Sequence, residues 1–247
     1  NVSLSRRRAS AGTLTDTWFD HDYDTDDFVA DWSTLAARYR DRPNVIGCDL
    51  ESNLGGKSTW GGDDPTYDWR SAAERAGNAV LAVNPNVLVI IEGVDQAEGA
   101  SYWPGGNLQG VRTNPVTLTL PNHLVYATQD FPSTISDKPF GGVPWFSAPD
   151  YPANLPAVWD ANWGYLMREK IAPVFLAAFG TALAATSSDS QWLSSLETYT
   201  AQFGMSFAYF ALNPQTEMPD VGGIYASFES NALNQPLISA LAPMLPP

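Results

Sequence analysis

The sequence predicts an α/β protein built on a parallel β-sheet, because strand-like and helix-like segments alternate along most of the chain. The apolar fraction of 44%, with 12% aromatic residues, is typical of a globular protein. Strands at this spacing pair in parallel through right-handed crossovers that place helices outside the sheet. A doubly wound sheet and a (β/α) barrel both fit, and 247 residues suit a single domain over 1–247.

Three strands and two helices are predicted in the first half of the chain. The strands cover residues 1–5, 44–50 and 87–93, and the last of these is almost continuously apolar. A helix is predicted over 25–41, because Phe28, Trp32 and Leu35 recur at helical spacing and Thr25 can cap it. The second helix, over 67–85, is alanine-rich and ends at an Asn-Pro-Asn sequence, which breaks helices.

The second half continues the alternation after a segment rich in Gly, Asn and Pro. The predicted strands cover 123–131, 173–180 and 206–212, and the predicted helices cover 155–171, 188–204 and 236–245. Gly204 stands where a glycine commonly ends a helix. Five tryptophans at helical spacing are expected in the core: Trp32, Trp69, Trp159, Trp163 and Trp192.

Charge and composition exclude several functions. The chain has 27 acidic and 13 basic residues, a net charge of −14, whereas nucleic acid is bound by clustered Lys and Arg. Two histidines and the single Cys48 provide neither a zinc site nor a catalytic thiol, and no glycine-rich phosphate motif follows a strand. No apolar run reaches membrane-spanning length, and no signal peptide is recognised. We therefore expect no cofactor, metal, nucleic acid or membrane span.

Several long segments, in order, resemble glycoside hydrolase family 5, in particular secreted endoglucanases. They are "DWRSAAERAGNAVLAVNPN" (68–86), "YWPGGNLQGV" (102–111), "NLPAVWDANWGY" (154–165) and "LNPQTEMPDVGGI" (212–224). The resemblance implies an α/β fold of the (β/α)8 TIM-barrel type and an extracellular location. Six of the eight strand–helix units are recognisable, and the resemblance begins inside the family's third strand, so the first two units are expected to lack a counterpart here.

The resemblance also implies a mechanism. Family members retain configuration, using two glutamates about 5–5.5 Å apart as acid/base and nucleophile. Position by position, these glutamates fall on Asn53 and Ala178. Other family positions lining the site fall on Arg6, Arg7, Ser52, Leu54, Pro104, Gln129, Asp130, Phe131 and Phe210. Among these, the resemblance implies a histidine at Gln129, a tyrosine at Phe131 and a tryptophan at Phe210, whereas its aspartate is kept as Asp130.

These replacements predict a degenerate catalytic site. Asparagine cannot donate a proton at neutral pH, and alanine cannot act as a nucleophile. We therefore expect a non-catalytic relative of β-1,4-glucan-cleaving enzymes, which acts outside the cell as a structural, interaction or glycan-binding protein. The alternative is an active retaining β-glycanase with relocated carboxylates such as Glu51, which strand alternation would place on the face of Asn53.

Two kinds of partner follow from these predictions. A β-glucan or another glycan would stack on aromatic rings, and Trp60, Trp103 and Trp145 lie in predicted loops near the expected site. A second polypeptide or subunit would complete the barrel at the first strand, 1–5, and the last, 206–212. The alternatives are a chain that is a fragment and a contracted barrel in which the first and last strands pair directly.

Overall fold

The computed structural model describes residues 2–5, 9–10, 13–14, 17–136, 144–181, 183, 187–214, 221–227 and 229–245. The strands are β1 (Val2–Ser5), β2 (Ala9–Ser10), β3 (Thr13–Leu14), β4 (Val45–Asp49), β5 (Leu88–Glu92), β6 (Gln96–Ala97), β7 (Ala100–Ser101), β8 (Leu124–Asp130), β9 (Val174–Phe179), β10 (Phe207–Tyr209), β11 (Tyr225–Ser227) and β12 (Ala232–Leu233). The α-helices are α1 (Thr25–Arg38), α2 (Trp69–Val83), α3 (Ser133–Ser136), α4 (Leu155–Trp159), α5 (Tyr165–Arg168), α6 (Ser187–Phe203) and α7 (Gln235–Leu241).

Six strands form one sheet in the order β1-β4-β5-β8-β9-β10. The pairs β1–β4, β4–β5, β5–β8 and β9–β10 are parallel, which confirms the predicted α/β class. The order follows the chain, as expected when each crossover adds the next strand on the same side. Among the described strands, β1 pairs with β4 and β10 pairs with β9. The contracted barrel, closed by direct pairing of the first and last strands, stays an alternative prediction.

By its internal contacts the chain divides into two compact units: unit 1 comprises residues 1–128 and 170–174, and unit 2 comprises 129–169 and 175–247. In unit 1, α1 and α2 pack together through buried faces that include Trp32 and Trp69. The Trp32 indole N–H donates to the carbonyl of Leu50 and that of Trp69 to the carbonyl of Glu92, both at 2.9 Å. Each bond fixes a helix to the carboxyl end of a strand and satisfies a polar group inside the core.

Unit 2 is built around buried aromatic rings. The Tyr199 ring lies 5.1 Å from Trp159 and 5.3 Å from Trp163, centroid to centroid. Gly164 permits this packing, because a Cβ there would lie 1.7 Å from the Tyr199 hydroxyl. Trp192 is also fully buried, so all five tryptophans expected in the core are confirmed there.

Several predicted element boundaries differ from the observed ones by a few residues, and three differences have a physical reason. Helix α1 is capped by Asp24 and not by Thr25, because the Asp24 carboxylate accepts the N–H groups of Asp26 and Asp27. The helix predicted over 155–171 contains a π-helical segment, Asp160–Gly164, between α4 and α5. The last strand of the sheet ends at Tyr209, whereas the apolar run suggested 206–212.

Candidate functional site

The loop after β4 carries Asn53, the position that the resemblance assigns to the acid/base. Its main-chain N–H donates to Glu92 Oε2 at 2.9 Å, and its φ angle is +59°, in the left-handed region that suits asparagine. Glu92 ends β5, is buried, and is held through its own carbonyl by the Trp69 indole. Glu92 of β5, itself held by Trp69 of α2, therefore fixes the main chain at Asn53.

Glu51, the proposed relocated carboxylate, is buried, with 2% of its surface exposed. Strand β4 ends at Asp49, and the left-handed turn at Asn53 breaks the extended alternation. Residues 51–53 are therefore not part of a strand, so strand alternation does not place Glu51 and Asn53 on one face. Asp49 and Glu92 are buried as well, so unit 1 holds three carboxylates at its strand ends, with little contact with water.

Two of the three proposed stacking tryptophans are enclosed by protein in unit 1. Trp60 is 7% exposed, its indole N–H donates to the Asn114 carbonyl at 2.9 Å, and a Cβ on Gly110 would lie 2.5 Å from its ring. Trp103 is 3% exposed. A sugar stacks on an open ring face, so burial disfavours both tryptophans as stacking residues. Ser52, another position expected to line the site, is partly exposed.

In unit 2, β8 ends with Gln129 and Asp130, and Phe131 follows; all three are buried. The Asp130 carboxylate accepts the indole N–H of Trp159, a buried charge-assisted hydrogen bond. This bond joins the end of β8 to α4 within unit 2.

Ala178 lies in β9, immediately before Phe179 and Gly180. Its side chain is half-buried and is a methyl group without acid, base or nucleophilic chemistry. The carbonyl of Phe210 lies close to Gly180: a Cβ on Gly180 would be 2.1 Å from the Phe210 carbonyl oxygen. Phe210 itself is 37% exposed. Unit 2 therefore presents an alanine and an exposed phenylalanine at the ends of adjacent strands.

Hydrogen bonds among the loops of unit 2 were not predicted from the sequence. Fully buried Asp189 on α6 accepts the Thr134 hydroxyl at 2.6 Å and lies 3.4 Å from that of Thr181. The Tyr209 hydroxyl accepts the Thr181 N–H at 3.1 Å, and burial raises the pKa of Tyr209 to about 12. Such partners are distant in sequence and carry no local pattern, so no signal in the chain could have identified them.

Trp145 is the least buried of the three proposed stacking tryptophans. It is half-buried in unit 2, packs 6.0 Å from the Phe146 ring, and is held by the Asn154 amide, which donates to its carbonyl at 2.8 Å. Arg6 and Arg7 lie outside the described residues.

The described residues contain no cluster of three His, Cys, Asp or Glu side chains placed to hold a metal ion. Within the same residues, no helix is long and apolar enough to cross a bilayer.

Sequence comparison identifies the relatives of this chain. A family model described as cellulase (glycosyl hydrolase family 5) matches residues 12–216. An endoglucanase from Paenibacillus polymyxa is 40% identical over 227 residues, 90% of this chain and 55% of that protein. The major extracellular endoglucanase of Xanthomonas campestris pv. campestris is 29% identical, covering 90% of this chain and 45% of that protein. The chain thus spans about half the length of these curated relatives.

Solved structures agree with this assignment. The catalytic domain of the major Xanthomonas campestris pv. campestris endoglucanase matches with a TM-score of 0.87 and 27% identity over 98% of this chain and 68% of that one. An endocellulase from Pyrococcus horikoshii, solved with cellotetraose, matches with a TM-score of 0.84 and 28% identity over 98% and 68% of the two chains. The predicted TIM-barrel type of fold is confirmed, and the chain belongs to the cellulase family, glycosyl hydrolase family 5.

Proposed function

We propose that this chain is a non-hydrolysing member of its family, which acts outside the cell by binding a glycan or a protein. The observation that carries the proposal is the pair Asn53 and Ala178, at the two positions where the family resemblance expects catalytic glutamates. Neither side chain can perform proton transfer or nucleophilic attack at neutral pH. The extracellular setting is supported by the Xanthomonas relative, which is named an extracellular enzyme.

The replaced neighbours support the same proposal. Gln129, Phe131 and Phe210 differ from the histidine, tyrosine and tryptophan that the resemblance expects. A catalytic pair depends on neighbouring groups that orient it and tune its pKa values. Because these neighbours are replaced together with the two glutamates, a single engineered substitution does not explain the site. Glu51 is the carboxylate that the active alternative would use, and its burial disfavours contact with a sugar.

Hydrolysis of carboxymethyl-cellulose tests the proposal. We expect no turnover above that of a buffer blank, because removing catalytic groups costs several powers of ten in rate. Activity that survives repurification and disappears in Glu51→Ala would overturn the proposal and establish the relocated-carboxylate enzyme. Asp22→Ala, an exposed carboxylate outside the strand ends, is the matched control and should leave any such activity unchanged.

Glycan binding and protein binding remain two forms of the proposal, separable by calorimetry with cellotetraose, the ligand of the Pyrococcus horikoshii structure. Binding that is lost in Trp145→Ala favours the glycan-binding form, because Trp145 is less buried than Trp60 and Trp103. Absence of binding favours the structural or interaction form. A second polypeptide or subunit that completes the barrel stays a prediction.

A further inference from the structure

A cleft lies in unit 1 at the amino ends of β4 and β5, the opposite end of these strands from Asn53. Its volume is about 630 Å³, and it is lined by residues of 40–46 on one side and of 84–88 on the other. The lining contains no aromatic side chain, so the cleft does not provide a platform for stacking a sugar.

The walls of the cleft are fixed by hydrogen bonds. Buried Asn84 donates from its side chain to the Ala36 carbonyl of α1 at 3.2 Å and accepts the Asn86 N–H at 3.3 Å. On the other side, the Arg42 N–H donates to the Tyr39 carbonyl at 3.0 Å and the Val45 N–H donates to the Arg42 carbonyl at 2.9 Å. The main chain that carries the lining side chains is therefore ordered before any ligand arrives, which lowers the entropy cost of binding.

The charge at the cleft is opposite to that of the protein. Its lining includes two basic residues, Arg40 and Arg42, and one acid, Asp41, in a chain of net charge −14. Both arginines are exposed, and within the described part of the chain their side chains form no ion pair. Guanidinium groups bind carboxylates in bidentate pairs, and unpaired ones on an acidic protein attract an acidic partner.

The floor of the cleft is apolar. Ile46 of β4 is 40% exposed, unusually open for a large apolar side chain within a strand, and Val45 and Leu88 line the same cleft. A small inorganic anion or a sulfated sugar would leave this floor uncovered. An extended peptide can place an apolar side chain on Ile46 and carboxylates on the arginines at once.

We propose that this cleft binds an extended acidic segment of a partner protein, with apolar residues between its carboxylates. The proposal does not depend on the fate of the catalytic positions, because Arg40, Arg42 and Ile46 lie before or at the start of β4 and Asn53 lies after it.

Fluorescence anisotropy with a labelled peptide of alternating glutamate and leucine tests the proposal on the purified protein. We expect saturable binding that weakens as NaCl rises from about 50 to about 500 mM, because screening acts on exposed charges. Arg40→Glu with Arg42→Glu should weaken binding at least about tenfold, because like charges then face each other. Ile46→Ser should weaken binding of the glutamate–leucine peptide more than binding of an all-glutamate peptide.

Lys57→Glu is the matched control, because it reverses one exposed charge at the other end of β4 and should leave the affinity within about twofold. Circular dichroism shows whether each variant is folded. Absence of binding by the unmodified protein, equal binding by the folded double arginine variant, or tighter binding of a heparin fragment than of the peptide would each overturn the proposal.

Discussion

Cys48 shows how a single residue reports on the fold. It is the only cysteine in the chain, lies in β4, and is 1% exposed. Burial, helped by the neighbouring charge of Asp49, raises the pKa of this thiol from its usual 9.0 to about 12. Any stability that depends on this proton is present below about pH 9 and is lost as the pH rises towards 12.

We expect Cys48 to resist alkylation in the native protein. At pH 8 the thiolate is the reactive form, so iodoacetamide should label the folded chain at least about a thousandfold more slowly than the chain unfolded in guanidinium. Mass spectrometry of the intact protein measures both rates, and a single adduct identifies the residue. Equal rates would show that β4 opens readily or that the thiol is accessible.

At the scale of elements, the N-terminal cap of α1 distinguishes the structure, which has Asp24 as the cap, from the sequence prediction of Thr25. Asp24 forms a capping box with Asp27, and the Thr25 hydroxyl instead accepts the Trp18 indole N–H at 3.0 Å. Asp24→Ala should destabilise the protein by about 1 kcal/mol and lower its melting temperature by about 2–4 °C. Asp22→Ala, an exposed carboxylate before the helix, should change it by less than about 1 °C. Equal shifts in both variants would refute the cap.

The main strands and helices could be predicted because each is long enough to show apolar periodicity. The β6–β7 hairpin could not, since each strand has two residues and its turn, Glu98 and Gly99 at positive φ, is not the usual Asn-Gly pair. The π-helical segment, Asp160–Gly164, could not be predicted either, because it shows no apolar periodicity that differs from that of an α-helix. Its last residue packs against Tyr199, which is distant in sequence.

At the scale of the whole molecule, we expect that restoring two glutamates will not restore an enzyme. The variant with Asn53→Glu and Ala178→Glu still lacks the histidine, tyrosine and tryptophan expected at Gln129, Phe131 and Phe210. Turnover of carboxymethyl-cellulose by this variant should remain at least about a hundredfold below that of an endoglucanase assayed in parallel. A near-normal rate would show that the two carboxylates suffice.

The candidate site was only partly predictable from the chain. Its positions follow from long matching segments, so the amino-acid sequence alone could place Asn53, Ala178 and Phe210 at strand ends. Burial could not be inferred in the same way: Trp60 and Trp103 lie in glycine-rich loops that suggest exposure, but folding of those loops encloses both rings. Exposure is decided by contacts that local sequence does not encode.

The anchoring of residue 53 bears on how such a chain evolves. Its hydrogen bond to Glu92 uses a main-chain donor, which every amino acid except proline has, so drift of the side chain leaves the anchor untouched. The backbone at +59° favours asparagine over glutamate, because a short amide tolerates left-handed geometry better. With this backbone geometry, replacing a glutamate by asparagine lowers the conformational energy of the folded chain, and the reverse replacement raises it. Selection for stability alone therefore disfavours regaining the acid.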